Sequence, residues 1–143
     1  MLACNQGSTN KITSDTASAT IPVAKPVALE GCYLMTIEKD SAYLELKDSS
    51  GILSGPLVYH RFEKDSNTGI FSGTVIKGNR LEGWYRFSSE GMVSVRRVIF
   101  KINNNNLSEG YGEMDLKHDT AGFKYPSNLE YEDQHPFIKQ ACK

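Results

Sequence analysis

One short frame recurs through the middle of the chain: an apolar residue, a polar residue, glycine, any residue, and a second apolar residue. It appears as Leu53-Ser54-Gly55-Pro56-Leu57, Phe71-Ser72-Gly73-Thr74-Val75 and Leu81-Glu82-Gly83-Trp84-Tyr85. Side chains in a strand alternate between faces, so the frame puts its glycine on the same face as both apolar residues. Glycine weakens a strand, and its return at one inward position marks sites where a sheet bends sharply or another backbone comes close. Turn glycines, by contrast, lie between apolar runs. The frame therefore predicts antiparallel strands that curl.

The connections point the same way. Asp65-Ser66-Asn67-Thr68-Gly69 links a strand ending near Glu63 to one beginning at Ile70, and Gly78-Asn79 links Ile76 to Leu81. Both use residue types that tolerate positive φ. Ser88-Ser89-Glu90-Gly91 makes the next reversal and Asn103 to Asn106 the one after it. Before the frame, Gly31 to Glu38 reads as a strand with Tyr33, Met35 and Ile37 on one face, and Ser41 to Lys47 as a second with Ala42, Leu44 and Leu46 together. The third strand, Ile52 to Glu63, carries Gly55, Leu57, Tyr59 and Arg61 on one face, while Pro56 implies an edge or a bulge at its start.

Leu107 to Met114 reads as one more, irregular strand. From Asp115 onward periodicity is weak, and Phe123, Tyr125, Tyr131 and Phe137 are expected to pack across an open side or end of the sheet. The fold class is all-β: an antiparallel up-and-down meander forming a small barrel or strongly curved sheet, with an irregular C-terminal segment.

The strand from Met92 to Ile102 breaks phase. Val93 and Val95 share one face, whereas Val98, Phe100 and Ile102 share the other. A β-bulge at Arg96-Arg97 would restore a single inner face and bring one arginine near the interior, with Glu63 or Glu90 as its acceptor. Without a bulge, both arginines are expected to point to water.

A chain of 143 residues makes one domain with tails. Its formal charge of -1, with no basic stripe, gives no support to nucleic acid as a partner. No apolar run reaches the roughly 18 residues of a membrane-spanning helix. The three cysteines, Cys4, Cys32 and Cys142, lie too far apart for a thiolate metal site of the Cys-x-x-Cys kind. If Cys142 reaches Cys32, a disulfide staples the end of the chain to the first strand; three unrelated free thiols are the alternative.

Met1-Leu2-Ala3-Cys4 followed by Asn5-Gln6-Gly7-Ser8 looks like the end of a bacterial lipoprotein signal, where a small residue precedes the cysteine that is lipidated, although the charged and apolar parts of an export signal do not precede it. Residues 1–4 are accordingly read as the lipidation site, 5–29 as a polar tether and 30–143 as a single β domain. Lipid on Cys4 would make the membrane a partner.

These features, with Gly31-Cys32-Tyr33, Gly55-Pro56-Leu57-Val58-Tyr59, Glu63 to Gly69, Gly83-Trp84-Tyr85-Arg86-Phe87-Ser88-Ser89-Glu90-Gly91 and the terminal Cys142, resemble a group of small uncharacterised bacterial lipoproteins. The resemblance spans most of the chain. It implies export to the cell envelope, periplasm or outer membrane, and a compact β domain; it carries no activity over to any residue. The glycine-x-aromatic opening and meander are also similar in architecture to lipocalin-like barrels.

No catalytic, metal or cofactor constellation stands out. Asp65 to Gly69 superficially matches a calcium loop, but Ile70 and Ile76 occupy positions where an EF-hand needs glycine and a bidentate glutamate. His60, His118 and His135 lack metal-ligand spacing, and no Gly-x-Ser-x-Gly elbow is present. The reading is therefore a non-enzymatic domain that binds a small apolar ligand or an envelope protein, with an interior cavity lined by Tyr33, Tyr59, Tyr85 and Phe87. Trp84, outward beside Glu82 and Arg86, is either a recognition residue or covered by the C-terminal segment. An inhibitor of a lysozyme-type hydrolase is the alternative function.

Overall fold

The computed structural model describes residues 28–142. Cys4 and most of the tether lie outside the described residues. Leu29, assigned above to the tether, belongs to the domain: it is buried, and its carbonyl accepts a hydrogen bond from the Tyr33 hydroxyl.

Seven strands form the predicted meander: β1 (Gly31–Ile37), β2 (Asp40–Ser49), β3 (Ile52–His60), β4 (Asn67–Ile76), β5 (Arg80–Ser89), β6 (Met92–Asn103) and β7 (Asn106–Tyr111). Each pairs antiparallel with the next. Most of the reversals are tight, and non-glycine residues in the left-handed region, such as Ser50, Lys77, Glu90 and Asn104, help make them. Four short strands follow: β8 (Met114–Lys117), β9 (Thr120–Phe123), β10 (Glu130–Tyr131) and β11 (Ile138–Gln140).

The sheet is strongly curved, and the C-terminal segment spans the gap between its ends. Running antiparallel to β7, this segment pairs Glu130 and Tyr131 with Tyr111 and Gly110, then exchanges two backbone hydrogen bonds between Phe137 and Leu107. It then crosses to β1, where β11 pairs antiparallel with Cys32, Tyr33 and Leu34. A disulfide between Cys32 and Cys142 fixes that junction, with the Cα atoms 5.2 Å apart. The Tyr43 hydroxyl donates to Cys32 Sγ from the neighbouring strand.

The glycine frame is the device that allows the curvature. Gly73 and Gly83 are paired directly across β4 and β5, on the inner face between the Phe71↔Tyr85 and Val75↔Leu81 pairs. A Cβ on Gly83 would run into the Ser72 carbonyl oxygen and the Gly73 Cα, and a Cβ on Gly55 into the Glu45 carbonyl oxygen. The strands approach so closely that only hydrogen fits between them. Around these points the inner faces supply one core, including Tyr33, Leu44, Leu46, Leu57, Phe71, Leu81, Tyr85, Val98, Phe100, Leu107 and Phe137. Phe100 meets Phe71 and Phe137 edge to face, at centroid distances of 5.6 and 5.3 Å.

Four sequence expectations are corrected. Pro56 lies on an interior strand and not at an edge. The β2–β3 register is the same on both sides of it, but the ladder is interrupted opposite Glu45-Leu46, since proline has no N–H to give. The reversal after β3 falls at 61–66, because Asn67, Thr68 and Gly69 are already paired with β3. No bulge occurs at Arg96-Arg97: the β5–β6 register runs unbroken from Arg80↔Lys101 to Ser89↔Met92. The aromatics of the last segment divide: Phe137 enters the core, whereas Tyr125 is exposed.

Gly83→Ala is expected to cost about 1–3 kcal/mol through the backbone clash, while Gly122→Ala, whose Cβ would meet nothing within 4 Å, should stay within about 0.5 kcal/mol of the parent; urea unfolding midpoints compare them. Reducing the Cys32–Cys142 bond, which closes a separation of 110 residues, is expected to lower stability by on the order of 4–5 kcal/mol in the chain-entropy account, read from the same unfolding curves with and without reductant.

Candidate functional site

A cleft of about 1010 Å³ opens at one end of the sheet. Its position follows from the register. β6 and β7 pair only between Phe100↔Glu109 and Asn103↔Asn106; beyond Glu109 the two strands part. The freed edge of β6 is taken up by β9, in a short parallel pairing of Thr120 and Ala121 with Val95 and Arg96. The cleft forms beside this split, between the β1–β2 turn, the loop after β3 and the end of β7.

Its floor is a buried polar cluster. With an unbroken register, Arg96 shares the inner face with Val98 and Phe100, opposite Tyr85, and Glu109 is inward on β7 opposite Phe100. Arg96 Nη1 lies 3.3 Å from Glu109 Oε2, spanning the split between β6 and β7. The Tyr59 hydroxyl donates to Glu109 Oε1 at 2.8 Å. The Arg96 guanidinium also sits over the rings of Tyr59 and Tyr85, 5.4 and 5.5 Å from their centroids. The Glu109 side chain is 2% exposed and that of Arg96 21%, so the arginine covers the carboxylate and faces the cleft.

Burial sets the titration of this cluster. It holds the Tyr59 hydroxyl well above its ordinary pKa, and the negative charge of Glu109 adds to the effect. Burial opposes the charge on Arg96, but Tyr59 and Glu109 outweigh it and keep the guanidinium above its usual value. Burial likewise pushes Tyr85 and Tyr111 up to about 12.

The walls are mixed. Met35, Ile37, Phe62, Tyr111 and Met114 contribute apolar surface, with Lys39, Arg61 and Lys64 among the charged residues of the rim. Lys39 Nζ lies 4.4 Å over the Phe62 ring, and Asp40 Oδ1 accepts the Phe62 backbone N–H.

Of Tyr33, Tyr59, Trp84, Tyr85 and Phe87, the residues expected to meet a ligand, Tyr59 is the one that lines this cleft. Tyr33 and Tyr85 are fully buried in the core, their hydroxyls given to the carbonyls of Leu29 and Leu57. Phe87 is stacked on Tyr85 at 4.7 Å. Tyr33, Tyr85 and Phe87 thus pack in or against the core, where the Tyr85 ring also meets that of Tyr59 edge to face at 5.7 Å. Trp84 is outward and 43% exposed, not covered by the C-terminal segment. It carries the Arg97 guanidinium at 5.0 Å, itself paired with Glu82 at 3.1 Å.

The acceptor for the inward arginine is Glu109, whereas Glu63 and Glu90 border a smaller polar depression with Arg61 and Lys64. Glu109 was missed, although Leu107, Glu109 and Tyr111 alternate in the sequence as one inward face. Asn67 to Gly69 lie in β4, which removes the calcium-loop alternative. His60 approaches Ser66 and His135 approaches Glu132. Among the described residues no group of three or more His, Cys, Asp or Glu side chains is placed to hold a metal.

Comparisons of the chain with protein-family models, with curated proteins and with solved structures give no match.

Arg96→Met should destabilise the domain by about 3–5 kcal/mol, because Glu109 would stay buried without its cation. Adding Glu109→Gln, which keeps an acceptor for Tyr59, should recover most of the loss; chemical denaturation of the parent, single and double variants measures it. Tyr33 and Tyr85 are both held at about 12, whereas an unfolded tyrosine ionises near pH 10. The unfolded chain thus binds fewer protons above that point, so this stability is intact below about pH 10 and is lost as pH rises through the folded values; unfolding midpoints combined with tyrosinate absorbance across the range test the sign.

Proposed function

We propose that this is a non-catalytic binding domain of an envelope lipoprotein, held to a membrane through lipid on Cys4, and that the cleft beside the β6–β7 split is where a small amphipathic ligand or the projecting group of an envelope partner docks. The observation that carries the reading is the cleft itself: about 1010 Å³, walls that mix apolar and charged side chains, and a fixed polar floor. Concave sites that combine apolar surface with placed polar groups are where small molecules bind. Glu109 is committed to Arg96 and Tyr59, an arrangement suited to holding a geometry more than to moving protons.

The lipoprotein part is supported by the Ala3-Cys4 junction and the polar residues that follow it. The Cys32–Cys142 disulfide is of the type that persists in oxidising compartments outside the cytosol.

The test is native mass spectrometry of the protein taken from its own membrane. A lipid-modified Cys4 together with a co-purifying small molecule displaced on opening the cleft supports both parts. An unmodified Cys4 removes the anchor, and an empty cleft that also takes up no amphiphile in titration removes the ligand. Inhibition of a lysozyme by the same preparation, undiminished by substitutions in the cleft, would assign the domain to the hydrolase inhibitors instead.

A further inference from the structure

We infer that the cleft selects an amphipathic carboxylate: a molecule with an apolar body and one carboxylate group, the carboxylate directed to Arg96 and Arg61 and the body laid against Met35, Ile37, Phe62 and Met114. The inference rests on the cleft being a binding site and specifies its ligand class.

Arg96 is the decisive group. Two tyrosine rings and one carboxylate oxygen hold its guanidinium in place before any ligand arrives. A guanidinium fixed in this way presents a planar fork of N–H donors that matches a carboxylate. Glu109 is nearly inaccessible behind it, so an incoming ligand meets the cation and not its counterion.

The rim strengthens the preference. Arg61 and Lys64 take part in no ion pair among the described residues. Both are exposed side chains that line the cleft, in the loop that follows β3. Lys39, also in the lining, stands over the Phe62 ring. Three acids line the cleft: Glu109 is spent on Arg96 and Tyr59, Asp40 accepts the Phe62 N–H, and Glu38 stands exposed at the β1–β2 turn, against the four cations Lys39, Arg61, Lys64 and Arg96. A cationic amphiphile would meet the exposed Arg61 and Lys64 and the Arg96 fork, and a neutral alcohol would offer them only an uncharged acceptor, a weaker partner than a carboxylate.

Isothermal titration of the full chain with dodecanoate, dodecanol and dodecyltrimethylammonium, all below micelle-forming concentrations, tests this. Dodecanoate is expected to bind at least about tenfold more tightly than dodecanol, with dodecyltrimethylammonium the weakest. Arg61→Gln changes an exposed side chain and leaves the core untouched; it should weaken dodecanoate about threefold and leave dodecanol unchanged. The double variant Arg96→Gln with Glu109→Gln should abolish the preference altogether. Equal affinities for dodecanoate and dodecanol in the parent chain would overturn the carboxylate inference while leaving the cleft as a binding site. Absence of binding by all three would remove the binding site as well.

Discussion

Everything enclosed by this sheet depends on two backbones meeting with no side chain between them. Gly73 and Gly83 face each other across β4 and β5, and each would clash with the opposite strand if it carried a Cβ. Here the sheet can coil tightly enough for strands that are distant in its order to face one another. That coiling brings Phe71 of β4 within edge-to-face reach of Phe100 of β6, and Tyr85 of β5 within reach of Tyr59 of β3. A flatter sheet would leave these rings on an open surface, where burial could not offset the entropy of ordering them.

Curvature explains the core but not the cleft, which arises where pairing fails. β6 is longer than the stretch of β7 available to it, and the unpaired end is only partly replaced by β9. An open ladder next to a core is a place where water and buried charge can coexist. Arg96 and Glu109 sit at that point, one on each separating strand, and their contact ties together what the backbone no longer joins. Such a pair contributes little net stability, since desolvation consumes most of the Coulombic gain. Its main effect is to fix a guanidinium in a single orientation at the bottom of a cavity.

Alternation and glycine placement revealed the meander because both are local. The strands around Tyr33, Leu44, Leu57, Phe71 and Leu81 follow from the period of two, and the structure puts those residues on one inner face. The floor of the cleft did not emerge in the same way. Val93 and Val95 suggested that the apolar face of β6 changes sides, whereas the unbroken register shows the inner face becoming polar at Ser94 and Arg96 as the strand leaves the core. A polar inner face and a bulge give the same one-dimensional pattern, and only the partner strand distinguishes them. Glu109 depends on the β6–β7 register, and the split beside it depends on where β9 docks; neither is encoded near Arg96 in the chain. Tyr33 and Tyr85 look like cavity residues from sequence because aromatics serve equally well to line a space or to fill it.

The disulfide has a consequence for how the domain can be handled. The described chain enters at Ala28, just before β1, and leaves at Cys142, which is bonded to Cys32 near the start of that same strand. Both ends therefore meet at one pole. The cleft is bordered by Ile37 and the turn that follows it, six residues further along β1 and roughly 20 Å away at the usual rise of a strand. A load applied at Ala28 or Cys142 is borne by β1, β11 and the covalent bond between them, not by the β6–β7 split. A fluorophore, bead or sensor surface attached at Ala28 would sit at the pole of the disulfide, away from the turn that borders the mouth.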